Sequence, residues 1–411
     1  MPVFRKFLCV AAVTAMAGLI VAPVWGQEKP GEKPAKPVDK LAADPVAEGK
    51  PIDLVICLDV SGSMNGLMDS AKLRLWDIVN ELARLKPTPV LRVALYSYGH
   101  SNYPAANGWV RKDADLTEDL DDVYKALNSL SIGGGSEYVA RVTKTALDEQ
   151  KWSTDKAALK LMFVAGNEAV DQDKQVKLED VADQAKKAGV IVNTIYCPYG
   201  HDNEIAGWAK FAESCGGKHM NIDQNKAVKQ VVVKTDFDDQ IVKLGEDLNK
   251  TYVAYGKDGK DKAANQLKQD ENAAKALAAP GIGGGAGPQV AAIARAESKA
   301  GVLYRNSTWD LVDKMKEKGF DLTKVKEEDL CDDLKKLKPE ERLEFLKKKG
   351  EERAELQKKI TDLSAKRQKK VEEELAKTPK TDGEKALDEA LKGLIRDQAK
   401  AKGFEVPAEK K

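Results

Sequence analysis

The stretch Ile52 to Met64, "IDLVICLDVSGSM", decides the fold. Ile52 to Leu58 read as a near-continuous apolar run. A strand needs that composition when both of its faces are buried, the condition of a parallel sheet covered by helices. The run stops at Asp59, and Ser61 and Ser63 follow on what reads as a loop. A carboxylate and two hydroxyls therefore sit where a core strand ends.

The pattern continues outward to about residue 223. "LMDSAKLRLWDIVNELARL" (67–85) carries Leu67, Ala71, Leu75, Ile78, Leu82 and Leu85 at helical spacing. "LRVALYSYG" (91–99) is the next strand and "GWVRK" (108–112) a short edge strand. "LTEDLDDVYKALNSL" (116–130) is a helix with Thr117 as its N-cap. "GGGSEYVARVTKTALDEQ" (133–150) is a glycine loop opening a helix. Strands at 158–166, 190–197 and 218–223 then alternate with helices at 177–189 and 203–217. Such alternation predicts an α/β fold with a doubly wound, mostly parallel sheet, Rossmann-like in architecture. In such sheets ligands bind beyond the strand C-terminal ends, where Asp59, Ser61 and Ser63 fall.

The flanking sequence divides further. Residues 1–26 read as a signal peptide: Arg5 and Lys6 precede an apolar run from Phe7 to Val24. Residues 27–50, rich in Pro, Lys, Glu and Ala, read as a disordered tether before the α/β domain of 51–223. Residues 224–278 read as a helical extension, in which 227–256 ends in an extended stretch, 279–290 as a Gly-rich linker and 291–411 as a charged, largely α-helical region. That region carries two apolar stripes, Trp309, Leu311, Val312 and Met315, then Leu356, Ile360, Leu363, Val371 and Leu375. It reads as a hairpin or bundle packed on itself or on the first domain, with a partner-binding or self-associating coiled coil as the alternative. No segment after the signal peptide is apolar enough to span a bilayer. Export makes Cys197–Cys215 a candidate disulfide. With 67 basic and 66 acidic residues the net charge is +1, so no overall charge draws the chain to nucleic acid.

The D-x-S-x-S pattern of Asp59, Ser61 and Ser63, with "IGGGSEY" (132–138) downstream, resembles the metal-ion-dependent adhesion site of von Willebrand factor A (vWA) domains. The resemblance covers roughly 51–223. It implies a divalent cation, Mg²⁺ first and Ca²⁺ or Mn²⁺ as alternatives, bridging the domain to an acidic group of a protein ligand. Hard oxygen donors of this kind suit those ions. The implied ligands are Asp59, Ser61, Ser63 and Ser136, the last standing where the family has threonine. The family also draws on an aspartate after a later strand. Here that strand runs into "FVAGNEA" (163–169), with Gly166 in the aspartate's place, so Glu137, Asn167 and Glu168 become candidates for further metal or partner contacts. The alternative for Asp59 and Ser61 is plain capping of the next helix. "VAGNE", "LNKTYVAYG" (248–256), "NSTWDLVD" (306–313) and "IRDQAKAKGF" (395–404) together resemble exported bacterial proteins that join a vWA domain to a helical C-terminal region. That resemblance brings no activity with it.

Other constellations carry less. Cys197-x3-His201 is not a diagnostic zinc spacing, and His100, His201 and His219 read as exposed loop histidines. "VSGSM" lacks the G-x-S-x-G frame of a hydrolase elbow, and "GIGGGAG" (281–287) lacks the Lys-Ser/Thr of a phosphate loop. No catalytic set is visible, so the chain reads as a non-enzyme. Tyr96, Tyr98, Tyr103, Trp109, Tyr196 and Tyr199 are expected to crowd the loop face as partner anchors, some of them as packing; Trp76, Trp152 and Trp208 read as core. The expected function is cation-assisted binding of a protein partner in the periplasm, cell envelope or extracellular space. The alternatives are a metal-independent assembly protein whose helical tail carries the interaction, and an accessory subunit of an enzyme machine.

Overall fold

The computed structural model describes residues 49–64, 78–198, 204–221, 233–275, 288–377 and 384–406. The signal-peptide segment and all of the tether except Gly49 and Lys50 lie outside them. Strands β1 (Pro51–Asp59), β2 (Val90–Tyr98), β3 (Val110–Thr117), β4 (Leu159–Gly166), β5 (Val190–Tyr196) and β6 (His219–Asn221) form one sheet in the order β3-β2-β1-β4-β5-β6. β1 pairs in parallel with β2 and with β4, and only β3 runs antiparallel. Strand order reverses between β1 and β4, so the switch point lies at the end of β1.

Alternate residues of each strand feed two apolar layers, as the period of two requires. Val55 and Cys57, with Tyr96, Tyr98, Met162, Val164 and Val192, face the helices Val139–Glu149, Leu178–Ala188 and Ile205–Ser214. Leu54 and Leu58, with Val93, Leu95, Leu161 and Phe163, face the helix Leu120–Asn128, the segment Ile78 to Leu85 and, from the far end of the chain, Leu391, Leu394, Ile395, Ala399 and Phe404. The C-terminal helix Glu384–Ala401 is thus part of the sheet's cover. Its docking is specific. Gln398 and Asn193 exchange amide hydrogen bonds of 2.7 and 3.1 Å, Arg396 Nε donates to Glu81 at 2.5 Å, and the Lys86 and Glu405 backbones exchange two bonds.

Two local expectations need correction. The edge strand is longer than 108–112, with a register irregularity opposite Val93 to Tyr96. The helix behind it is capped by Asp119, not Thr117: Asp119 Oδ1 accepts from the Asp121 and Asp122 N–H groups at 3.1 and 3.2 Å, while Thr117 still belongs to β3. A carboxylate has the advantage there, because the helix N-terminus favours negative charge.

The helical region packs on itself and on the α/β domain. The helix Pro339–Lys377 lays Leu356, Ile360 and Leu363 against Ile241 and Leu248 of Asp238–Asn249 and Ile293 and Ala296 of Pro288–Ala300. That part of the stripe is covered within the chain. Pro288 to Val290 are helical although they fall in the segment read as linker; 279–287 lie outside the described residues.

Arg353 is 1% exposed and organises two of the motifs. Its guanidinium donates to Asp310 at 2.7 and 3.2 Å, to Asp313 at 3.0 Å, to the Thr251 hydroxyl at 3.0 Å and to the Thr251 carbonyl at 2.7 Å. All of its donors are used, the condition under which a buried charge is tolerated. "LNKTYVAYG" and "NSTWDLVD" are therefore halves of one buried structure: Asp310 also accepts from Val253 N–H at 2.6 Å, and Tyr252 stacks on Trp309 at 5.7 Å.

A second buried network joins the helical region to the α/β domain. Arg295 pairs with Asp121 at 2.8 Å and with Asp270, Lys299 pairs with Asp270 at 2.7 Å, and the Tyr304 hydroxyl donates to Asp121. Burial depresses the Lys299 ammonium to about 8 even beside Asp270. The Asp270 carboxyl is itself partly desolvated, which raises it, but Arg295 and then Lys299 outweigh burial and hold it below its usual range.

Two outcomes are expected. Ile395→Ala lowers the unfolding free energy of the whole chain by about 2–5 kcal/mol in a urea titration, whereas a tail that merely hung from the domain would leave the sheet's transition unmoved. For Asp270 the folded value lies below the unfolded 3.8, so its stabilisation is complete above that pH and is lost as pH falls through the folded value. Acid titration of Asp270→Asn followed by circular dichroism should accordingly show a smaller stability loss below pH 3.8 than the wild type.

Candidate functional site

Three segments meet at the end of β1. Hydrogen bonds from Val60 N–H to Tyr98 O and from Gly133 N–H to Val60 O, both 2.9 Å, tie the Asp59 loop to β2 and to the glycine loop. A Cβ on Gly135 would lie 2.8 Å from Gly99 O, and one on Gly133 would strike the His100 ring at 2.6 Å. Glycines here let the 132–138 loop lie directly on the β2 end.

Within this frame Asp59 Oδ1 accepts from Ser61 N–H at 2.7 Å, which turns the chain so that Ser61 Oγ lies 2.8 Å from Ser63 Oγ. Ser63 then donates to Asn167 Oδ1 at 2.9 Å, bringing the β4 loop to the site. Glu137 is 8% exposed and its side chain lies against Asp59. Gly99 roofs the pair at φ +85°: a Cβ there would sit 2.8 Å from Asp59 Oδ1, 3.0 Å from Glu137 Cγ and 3.6 Å from Ser61 Cβ. Ser136 is half-buried on the glycine loop beside Glu137. Glu168 is half-buried, with its carbonyl accepting from Trp208 Nε1 at 2.8 Å, and its charge reaches both Asp59 and Glu137.

The electrostatics follow from placing carboxyls together out of water. Burial pushes Asp59 up to about 6 against hydrogen bonds from Glu137 and Ser61. Burial, then the Asp59 charge, pushes Glu137 up to about 9. As carboxylates, Asp59 Oδ2 and Glu137 Oε2 are both buried with no donor among the described residues. A proton shared between the two groups satisfies them, and so would a cation. Among the described residues no three His, Cys, Asp or Glu side chains are grouped to hold a metal, so a cation here must draw on hydroxyl oxygens as well. Asp59, Ser61, Ser63 and the neighbouring carboxylate fit a hard divalent ion on that account.

Gly166 has a steric cause. A Cβ at that position would lie 2.4 Å from the Tyr98 hydroxyl and 3.0 Å from the Trp208 ring. Tyr98 donates to Ala165 O at 2.9 Å and is fully buried, so the space an aspartate needs is filled. Neither Gly99 nor the Tyr98–Trp208 wall was singled out in the sequence; the end of "LRVALYSYG" was the only signal for the former.

Other expectations are corrected. Cys197 and Cys215 are both thiols, not a disulfide: Cys197 packs on Met64 and Ile195, whereas Cys215 belongs to the layer with Trp208 and Phe211. His100 is 6% exposed, stacked on Tyr103, with Nδ1 accepting from Asn102 N–H at 3.0 Å. Tyr96, Tyr98, Tyr103 and Tyr196 are buried packing and not partner anchors. Trp109 alone of the described members of that set stays half-exposed, edge-on to Tyr138. Trp208 is core as expected, Trp152 is half-buried, and Trp76, Tyr199 and His201 lie outside the described residues.

The family model for the von Willebrand factor type A domain matches residues 53–243. The chain contains a vWA domain. Solved structures of low sequence identity are similar to it. Proximal thread matrix protein 1 from the mussel byssus, in a form described as having a zinc-occupied MIDAS motif, is 14% identical over 44% of this chain and 44% of that one, with a TM-score of 0.33. The SpRpn10 VWA domain is 14% identical over 42% of this chain and 87% of that one, with a TM-score of 0.32. A von Willebrand factor type A protein from Catenulispora acidiphila is 17% identical over 43% and 40%, also at 0.32. The match therefore spans less than half the length of the mussel and Catenulispora proteins. No curated protein matches the chain.

Restoring the family's aspartate should be costly. Gly166→Asp drives a side chain into Tyr98 and Trp208, and a loss of about 1–3 kcal/mol or more is expected in denaturant melts; an unchanged midpoint would mean that the wall yields freely.

Proposed function

We propose that this vWA domain binds a protein partner through a divalent cation at the end of β1, with Asp59, Ser61 and Ser63 holding the ion directly or through water and Ser136 contributing from the glycine loop. The observation that carries the reading is the buried carboxylate pair with its two oxygens lacking a donor, set beside two hydroxyls that converge on one side. Removing carboxylates from water in this way is costly unless a counter-charge or proton offsets it. A cation held there would supply Lewis acidity toward an acidic group of the partner. Ser61 and Ser63 orient oxygen toward it, Asn167 fixes Ser63, and Gly99 leaves the approach free of a side chain.

Mg²⁺ is the proposed ion, since a site with few charged ligands suits an ion that keeps several waters. Half-exposed Trp109 and Tyr138 supply an aromatic rim of the kind that anchors partners. The activity proposed is binding, not catalysis: among the described residues no histidine or lysine is hydrogen-bonded to Ser61 or Ser63. The basic and apolar N-terminal segment supports export, to the periplasm, envelope or beyond.

The test is calorimetric titration of Mg²⁺, Ca²⁺ and Mn²⁺ into the metal-stripped full chain, with Asp59→Ala alongside. Saturable binding that disappears in Asp59→Ala is the expected result. A wild type that takes up none of these ions at millimolar concentrations would remove the cation from the account and leave an assembly role for the helical region.

A further inference from the structure

We propose that Glu137 is the second carboxylate ligand of the cation site, standing in for the aspartate that Gly166 displaces. This rests on the cation reading above and assigns a role within it. Gly166, the last residue of β4, cannot carry a side-chain ligand, because Tyr98 and Trp208 occupy the space a side chain would need. The chain has not thereby lost a second carboxylate at the site. Glu137 enters from the glycine loop, one residue beyond Ser136, and reaches beneath Gly99 to lie against Asp59.

Its burial separates it from the other acidic candidate. Glu137 is 8% exposed, and among the described residues its Oε2 has no hydrogen-bond partner, as is true of Asp59 Oδ2. Two adjacent orphaned acceptors on different segments call for one shared positive centre. Glu168 differs: it is half-buried, and its Oε2 lies 3.5 Å from the Gln172 amide nitrogen. The loop carrying Glu137 is fixed by Gly133 N–H to Val60 O, and Glu137 N–H itself faces Gln172 Oε1 at 3.4 Å. The carboxylate is therefore delivered by a backbone locked to the Asp59 loop, as a ligand must be.

The discriminating experiment measures Mg²⁺ and Ca²⁺ affinity of the full chain by calorimetry, and the cation-induced rise in melting temperature, for wild type, Glu137→Gln, Glu137→Asp and Glu168→Gln. Glu137→Gln is expected to weaken binding about tenfold or more, since affinity at such sites follows ligand charge count, and to abolish most of the cation-induced rise in melting temperature. In chelator its melting temperature should stay close to that of the wild type, because the amide keeps the side chain's size and can donate to Asp59; this also shows that the variant folds. Glu137→Asp, which keeps the charge but draws it back, should fall between. Glu168→Gln should stay within about threefold of the wild type. Equal binding by wild type and Glu137→Gln, or loss on Glu168→Gln instead, overturns this assignment while leaving the cation reading intact. No binding by the wild type overturns both.

Discussion

A parallel sheet is buried on both faces, and among the described residues of this chain the cover comes from both the α/β segment and the far C-terminal end. One face receives the helices 139–149, 178–188 and 205–214, all close in sequence to the strands they cover. The other is completed by residues 391–404, nearly two hundred residues beyond the last strand. The apolar area that Leu394, Ile395 and Phe404 remove from water is inseparable from that of Leu54 and Leu161. The helical region is therefore held at one end by the hydrophobic requirement of the sheet it follows.

Between those contacts the region is ordered by buried charge. Arg353 and Arg295 are both buried, and each is paired with two carboxylates. Such networks add little net stability compared with apolar packing, yet removing one partner exposes the full desolvation cost of the other. They consequently fix geometry: Asp121, at the start of the helix behind β3, is bonded to both Arg295 and Tyr304 of the helical region. The alignment of the 120–128 helix and of the helical region cannot change independently.

The candidate site uses the same physics with the opposite balance. Asp59 and Glu137 are buried together with no cationic side chain among the described residues to neutralise them, and they rise into the range where one proton is retained. A structure that satisfies Arg353 so fully leaves two carboxyl oxygens here without a donor.

The order of strands and helices, the switch point after β1 and the D-x-S-x-S loop were all legible in the sequence, because period-two and period-3.6 patterns and a short loop motif are local properties. Local signals also placed Ser136 and Glu137 on one glycine loop. What the sequence could not state is which of Glu137, Asn167 and Glu168 reaches Asp59, why Gly166 has no side chain, or that Cys197 and Cys215 lie in different packing layers. Those depend on distances between segments far apart in the chain, set by how Tyr98, Trp208 and Gly99 fill the space above the strand ends. The motifs "LNKTYVAYG" and "NSTWDLVD" show the same division. Their composition marked them as special, but only the buried Arg353 between them, supplied from a helix forty residues further on, gives the reason.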